Sequence, residues 1–373
     1  MAIEIDFLAV GDESKSGDAI AFRCGNLLGE RHEWFCGVID GGTLDAGERL
    51  VDFIIKQYRT DWLDLAVNSH PDGDHSCGLR LVLESLGVGE LWLHRPWTRS
   101  AHLRAAMERQ PGAIVLNESA RATLNNAREL ERIAIRRGIP IIEPFAGDPL
   151  VGNFNDHRGR ILVLGPSEEY YNSLLELEET EETASVTNYA LSALSRLVEG
   201  GVGLLAKLFE SVDCETLQDP ADNATSASNN SSVVLAIEND GQRVLLTADA
   251  GVPALERAEH FASAVGIDLR TCGLQQVPHH GSRRNMGPSM LDVLVGQRGQ
   301  RSNMAVYVSA AKNGRPKHPN VRVTNAYMRR GAGVYSTEGN NIVWGAGPRP
   351  LRPGYSPIRP LDFHTGEVEG DDE

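Results

Sequence analysis

The sequence predicts an α/β protein in which two mixed sheets lie face to face between outer helices, an αββα four-layer sandwich carrying a helical, acidic insertion. Three observations predict it. Strand-like and helix-like segments alternate in two separate stretches, and each stretch opens on a pair of strands joined by a short polar turn. Between the stretches lies a segment of quite different charge.

Taken in order, IEIDFLAV and GDAIAFRC are apolar runs separated by a polar Gly/Ser turn, and so read as two strands. EWFCGVIDGG is a third, ending in Asp40-Gly41-Gly42, where glycine lets backbone approach a site closely. GERLVDFIIKQYRTDW has helical spacing, and LDLAVNSH is a short apolar strand running into a polar loop. CGLRLVLESLG is predicted as a helix and ELWLHRP as a strand. Residues 100–139 are predicted helical up to Gly138, followed by the strands IPIIEPF and RILVLGPS. Further on, YALSALSRLVEGGVGLLAKLFESV is helical, and Arg196, Glu199 and Lys207 make it amphipathic rather than membrane-spanning. SSVVLAIEN, the turn NDG and QRVLLTAD form a hairpin whose second strand ends at Asp249. ALERAEHFASAVG is a helix, LRTCGLQQVPHHGS a strand into a loop, and SMLDVLVGQ a helix. NMAVYVSA, GVYSTEG and NIVWGAG are the last strands, and RPLRPGYSPIRP is extended. The expected organisation is therefore 1–166 for the first half of the sandwich, 167–222 for the insertion and 223–347 for the second half. Residues 348–373 form a Pro/Arg-rich, then acidic, tail.

Hydrophobic residues make up 41% of the 373 and charged ones 23%, which excludes wholesale disorder. No apolar run approaches the ~18 residues that cross a bilayer, and MAIEIDFLAVGDES lacks a signal-peptide pattern. Five scattered cysteines (Cys24, Cys36, Cys77, Cys214, Cys272) argue against a disulfide framework and for a reducing compartment. A cytoplasmic protein with no membrane partner is the expectation. The net charge of −15 would by itself argue against nucleic acid. Its distribution shows that the total does not rule nucleic acid out. Residues 167–222 hold 13 acidic and 2 basic side chains, and 366–373 hold five acidic and no basic ones. The rest of the chain is close to neutral at +1, and within it 279–330 carries ten Lys/Arg against the single acid Asp292.

The segment Ser69-His70-Pro71-Asp72-Gly73-Asp74-His75 packs four metal-capable side chains into six positions. In a loop after a buried strand, such spacing can aim alternate residues at two adjacent cations, shared between two imidazoles and two carboxylates. Further candidates recur at later strand ends: Asp249, the pair His279-His280 in PHHGS, and His318 in PKHPN.

With these motifs the chain resembles the metallo-β-lactamase-fold hydrolases, and within them the ComEC-like competence branch. SHPDGDHSCGL matches that branch's His-x-Asp-x-Asp-His signature, with Asp72 where most of the superfamily has a second histidine. GDAIAF and VIDGG match its glycine-rich opening, NNSSVVLAIENDGQRVLLTAD its strand pair ending in a bridging aspartate, and HHGS and KHP its two C-terminal histidine motifs. The resemblance runs from about residue 4 to 345, interrupted by the poorly matched middle. One departure matters. The superfamily's lone histidine ahead of the bridging aspartate is missing, since no histidine lies between His157 and His260 and Asn229-Asn230 stand there instead. One ion's third ligand must come from His279, from His280 or from water.

What the resemblance implies is a metal-dependent hydrolase holding two divalent ions, zinc or manganese, through His70, Asp72, Asp74, His75 and Asp249, with Asp249 bridging. Asp72 in place of an imidazole makes the site harder and extends the expectation from zinc toward manganese. His279 and His318 are further candidate ligands, and Asp74, His280 and His318 candidate catalytic groups for proton transfer. Arg283 and Arg284 are candidates for holding phosphate oxygens. Asp40 is expected to support the site rather than ligate, His94 to be structural, and Trp92 and Trp97 to pack. The expected function is a nuclease or phosphodiesterase acting on DNA, supported by the basic stretch around the last motifs. The alternative is a small-molecule hydrolase of lactones, thioesters or cyclic nucleotides. A scaffold with a degraded site fits poorly, because every metal-binding side chain of the signature is present. The acidic segment 167–222 could cover the basic face until a regulatory protein or protease displaces it, so that deletion near 176–187 would raise activity.

Overall fold

In the computed structural model the described residues are 1–11, 16–111, 113, 116–148, 158–176, 215–221, 223–314, 317–352 and 355–366. The first half contributes β1 (Ala2–Phe7), β2 (Ala19–Gly25), β3 (Trp34–Gly41), β4 (Trp62–Leu63), β5 (Leu65–Val67), β6 (Gly87–Val88), β7 (Leu91–Trp92) and β8 (Ile141–Ile142). Then come β9 (Arg160–Gly165), β10 (Val234–Asn239), β11 (Gln242–Leu246), β12 (Leu274–Gln276), β13 (Ala305–Val308), β14 (Gly333–Ser336) and β15 (Ile342–Ala346). One seven-stranded sheet runs β15-β1-β2-β3-β5-β7-β8, and a six-stranded sheet runs β14-β13-β12-β11-β10-β9; β4 and β6 form a small separate pair. Both sheets are mixed: β1-β2-β3 and β9-β10-β11 pair antiparallel, whereas β3-β5-β7-β8 and β11-β12-β13-β14 pair parallel.

Period-2 alternation assigns the faces. Ile3, Ile5, Phe7, Ile20, Phe22 and Phe35 of the first sheet pack against Val163, Leu235, Ile237, Val244, Leu246 and Leu274 of the second, forming the central core. The outer face of the first sheet (Ala21, Cys36, Val38, Ala66) is covered by helices Leu44–Phe53, Leu79–Ser85 and Glu118–Arg137 through Leu50, Leu83 and Leu130. That of the second is covered by Val252–Ala264, Pro288–Leu294 and Val321–Arg329 through Leu255, Leu291 and Tyr327. The layers are therefore α, β, β, α, as the strand and helix pattern predicts. The β10–β11 turn carries Asp240 and Gly241 at φ 48° and 76°, the two positive values that a tight hairpin turn of matching twist requires.

Local detail departs from expectation in places. The strand ELWLHRP shortens to Leu91–Trp92, because the chain then turns at Pro96 into a short helix. The helical stretch after Gly42 ends in a wider π-type turn, Ile54–Tyr58, closed by Arg59 at φ 56°. Helix Val321–Arg329, capped by Asn320 onto Arg322 N, is an element that the sequence pattern did not predict; its β-branched start has low intrinsic propensity, and burial of Val323, Ala326 and Tyr327 stabilises it.

Both described ends of the acidic segment are built into the sandwich. Residues 168–176 are helical; Tyr171 and Leu175 pack with Leu103, Leu124 and Phe145, and Glu168 pairs with Arg99 at 2.7 Å. At the other end Leu217 joins the second helical layer's core, and Glu215 pairs with the buried Arg330 at 2.8 Å. The helical stretch expected between 189 and 212, and the cover over the basic face, lie outside the described residues. Among the described residues no helix is long and apolar enough to cross a membrane.

The tail returns to the start of the chain. Arg352 reaches Asp6 with both of its terminal nitrogens and Glu4 at 2.7 Å, while Arg23 also bonds Glu4 and Tyr58 donates to Asp6. Glu4 and Asp6 sit on the helix-facing side of β1, where burial without these cations would be prohibitive.

Candidate metal centre

The candidate residues converge where several strands end on one side of the sandwich. His70 follows β5; Asp72 precedes the one-turn helix Gly73–Ser76, which carries Asp74 and His75. Asp249 follows β11, His279 and His280 follow β12, and His318 follows β13. Close backbone packing brings the first loop into place. Asp18 N donates to Asp74 O, and a Cβ on Gly17 would lie 2.3 Å from that oxygen, so only glycine fits the chain leading into β2.

Asp249 is the centre of the constellation. Its Oδ2 lies 3.6 Å from His279 Nε2 and 3.8 Å from His70 Nε2, which itself stands 3.7 Å from Asp72 Oδ2. Its Oδ1 lies 3.4 Å from His75 Nε2 and 3.8 Å from His280 Nε2, which in turn stands 3.8 Å from Asp74 Oδ2. Two groups of donors thus share one carboxylate. One is His70, Asp72 and His279; the other is Asp74, His75 and His280.

Hydrogen bonds behind the rings fix which nitrogen faces inward. Asp40 accepts from His75 Nδ1 at 2.8 Å, and its remaining capacity is filled by Ser69 N, Ser69 Oγ and Asn68. Ser69 Oγ donates to Asp40, so His70 Nδ1, 3.0 Å away, donates to Ser69 Oγ. Asn285 Nδ2 donates to the Asp249 carbonyl, which turns Asn285 Oδ1 toward His279 Nδ1 at 3.0 Å. His70 and His75 therefore carry a proton on Nδ1, and all three rings present Nε2 to Asp249. Asn229 Nδ2 also lies 2.9 Å from His279 Nδ1, and Ser228 Oγ donates to Asp72 Oδ1 at 2.9 Å.

Electrostatics follow from this crowding. Burial disfavours charge on His75, yet Asp249 and Asp40 hold its pKa well above the ordinary value. His280 is raised to about 9, the pull of Asp249 and Asp74 exceeding the cost of burial. His70 is raised against burial and His75 by Asp72 and Asp249. Burial lowers His279, and lowers His318 to about 4. Asp249 is held well below the carboxylate range, burial being overcome by His279, His75 and His280, and Asp74 is lowered against burial by His280 and His75.

The donor set fits divalent metal. His70 Nε2, His75 Nε2, His280 Nε2 and Asp249 Oδ1 are buried and have no hydrogen-bond partner among the described residues, a costly arrangement that a cation would relieve. Among the described residues, Asp74, His75 and His280 form a group close enough to hold one ion, as do Asp18, His75 and Asp249. A third group, Asp40, His70 and His75, is better explained as support, because Asp40 is saturated by hydrogen bonds. With water and an ester, such a centre can carry out hydrolysis.

The structure brings together His70, Asp72, Asp74, His75, Asp249 and His279, all expected as ligands, and adds His280, expected as a catalytic group, to the Asp74 side. His318 stands further out, its ring 6.1 Å from that of His279 and 6.3 Å from that of His280. Arg283 is half-buried and Arg284 exposed, directly after the His279-His280 turn. His94 is buried between Phe145 and Tyr171 and donates to Pro144 O, away from the centre; Trp92 and Trp97 are buried in the cores. Asp18 is a residue that sequence reasoning missed. Buried, it accepts from Gln276 Nε2 at 2.7 Å and stands 3.8 Å from His75 Nδ1. Its place in GDAIAF, an acid at the mouth of an apolar strand, was the available signal.

No family model matches the chain, and no curated protein matches it. Among solved structures, the metallo-beta-lactamase fold protein YhfI from Bacillus subtilis aligns at 9% identity and a TM-score of 0.41, over 93% of this chain and 100% of that one. A diphosphatase from the PhnP family aligns at 9% identity and 0.37, over 92% of this chain and 98% of its own. A CmlA beta-hydroxylase variant aligns at 10% identity and 0.42, over 92% of this chain and 53% of its own.

Proposed function

We propose that the chain is a metal-dependent hydrolase of the ComEC-like branch that cleaves phosphodiesters, with DNA as its substrate. The observation that carries the proposal is the pair of donor groups on the two oxygens of Asp249. His70, Asp72 and His279 would hold one divalent ion, zinc or manganese, and Asp74, His75 and His280 the other. When bound, the ions supply Lewis acidity toward water and toward a phosphoryl oxygen.

The protein's own groups orient and protonate. Asp40 and Ser69 keep the Nδ1 protons of His75 and His70 in place, and Asn285 holds the His279 ring, so that no ligand has to reorganise during turnover. His318, neutral and beside His279 and His280, is a hydrogen-bonding group for the leaving oxygen. Water oxygen bonds to phosphorus, the ester P–O bond breaks, and the leaving oxygen takes up a proton. Arg283 and Arg284 would hold non-bridging phosphate oxygens.

For DNA, support comes from the basic run 279–330, although Arg330 is spent on Glu215 and Asp292 and Arg329 stacks on Phe363. A second function, hydrolysis of a small ester, lactone, thioester or cyclic nucleotide, is favoured by a recess beside Asp72 whose lining, among the described residues, contains no cationic side chain.

The test is a parallel assay with Mn²⁺ or Zn²⁺ on plasmid, single-stranded DNA, a chromogenic phosphodiester and a lactone. Cleavage of the small compounds alone would remove DNA. Full activity in an Asp74→Ala, His75→Ala double variant would remove the metal mechanism.

A further inference from the structure

Beside the metal centre the structure holds a recess of about 430 Å³, within the range of small-molecule sites. Pro71, Asp72 and Ser228 form the side next to the centre, so its occupant would lie against a metal-ligating carboxylate. Leu103, Leu124, Tyr171 and Leu174 supply an apolar wall. Ser119, Thr123 and Ser231 add hydroxyl-bearing residues to the lining. Among the described residues that line it, Asp72 is the one charged residue.

Resting on the phosphodiesterase proposal, we infer that this recess receives one uncharged organic substituent of the scissile phosphodiester, with an apolar face and a hydrogen-bonding edge. A phosphate does not suit it: Asp72 would repel it, and among the described residues no lysine, arginine or histidine lines the walls to compensate. Its mixed apolar and hydroxyl-bearing lining suits a group such as a nucleobase or an aryl ring, whose faces are apolar and whose rim is polar. In a nucleic-acid substrate that group is an unstacked base, which a continuous duplex does not offer without flipping. Single strands and nucleotide esters are therefore the preferred form. Helix residues 168–176, at the start of the acidic segment, contribute Tyr171, Leu174 and Leu175 to the recess, so this part of the segment belongs to substrate selection.

Three esters with a common leaving group separate the possible occupants: thymidine 5′-(4-nitrophenyl) phosphate, phenyl 4-nitrophenyl phosphate and methyl 4-nitrophenyl phosphate. The metal-loaded full chain should cleave the first, the second or both with kcat/KM at least about tenfold above the methyl ester, the usual discrimination of an apolar pocket. The thymidine and phenyl arms tell a nucleoside from a plain aryl preference. Thr123→Phe and Ala227→Leu narrow the recess from two separate helices, and each should bring the ratio toward one. Equal ratios in wild type and both variants would overturn the inference. Calorimetric binding of phenylphosphonate against methylphosphonate gives a readout free of turnover. If no ester is cleaved, yet phenylphosphonate binds about tenfold more tightly and the variants abolish that preference, the recess stands and the phosphodiesterase proposal falls.

Discussion

Asp40 Oδ2 accepts a hydrogen bond from His75 Nδ1 at 2.8 Å, and both side chains are completely buried. This carboxylate does not face the centre; it holds the tautomer and the angle of a ring that does. Asp40 itself is held at φ 57°, an uncommon backbone conformation for a non-glycine residue, stabilised by the bonds from Ser69. Asp40→Asn should weaken metal affinity by about tenfold to a hundredfold, as loss of such support usually does. Competition with a chromogenic chelator measures it, and unchanged affinity would assign Asp40 to folding alone.

In the two-ion proposal His279 would take the place of the histidine missing ahead of β10. Its Nε2 approaches the Asp249 oxygen that also faces His70, and Asn229, at the sequence position of the missing residue, lies against its Nδ1. His279→Ala should therefore lower the stoichiometry on metal titration from two ions toward one, while His280→Ala weakens the Asp74 side. Identical losses in the two variants would contradict the division into two groups.

Acid should destabilise the fold through His94. Burial lowers its pKa from 6.5 to about 4, its Nδ1 has no hydrogen-bond partner, and a cation there would face Arg99. The folded pKa lies below the unfolded one, so the stabilisation is complete above about pH 6.5 and is lost as pH falls toward 4. The full loss is about 3 kcal/mol. Urea unfolding at pH 7 and at pH 4.5 should show a much smaller acid loss in His94→Phe than in wild type. Parallel losses would place the acid sensitivity elsewhere.

The Arg330–Glu215 pair ties the distal end of the acidic segment to the second helical layer. Arg330 is 1% exposed and also meets Asp292 and the carbonyls of Pro288 and Ala326. Glu215→Gln should cost about 3 kcal/mol, because it weakens the compensation of a buried guanidinium. Chemical denaturation reads this directly, and a loss below about 0.5 kcal/mol, the level of ordinary surface changes, would show that Asp292 suffices alone.

Much of the candidate centre was legible in the sequence because its metal-capable side chains are local. His70, Asp72, Asp74 and His75 lie within six consecutive positions, and a buried strand before them fixes their direction. Asp249 and His279-His280 were legible as metal-capable side chains at strand ends. The layered fold was legible for a similar reason, since alternation along each strand already separates inward Ile3, Ile5 and Phe7 from outward Glu4 and Asp6.

Other features depend on contacts between distant parts of the chain, which no local pattern encodes. The order of His279 and His280 around Asp249 is set by two successive residues at φ 45° and 54°, a turn held by the packing of β12 between β11 and β13. Asp18 acquires its place beside His75 through Gln276, 258 residues away, and Asp6 is neutralised by Arg352, 346 residues away. The sequence by itself determined which chemical groups were available and on which face of each strand they stand. Only the tertiary structure decided which of them meet, because closing two sheets over one core brings strand ends from both halves to the same side and leaves their buried nitrogens facing one shared carboxylate.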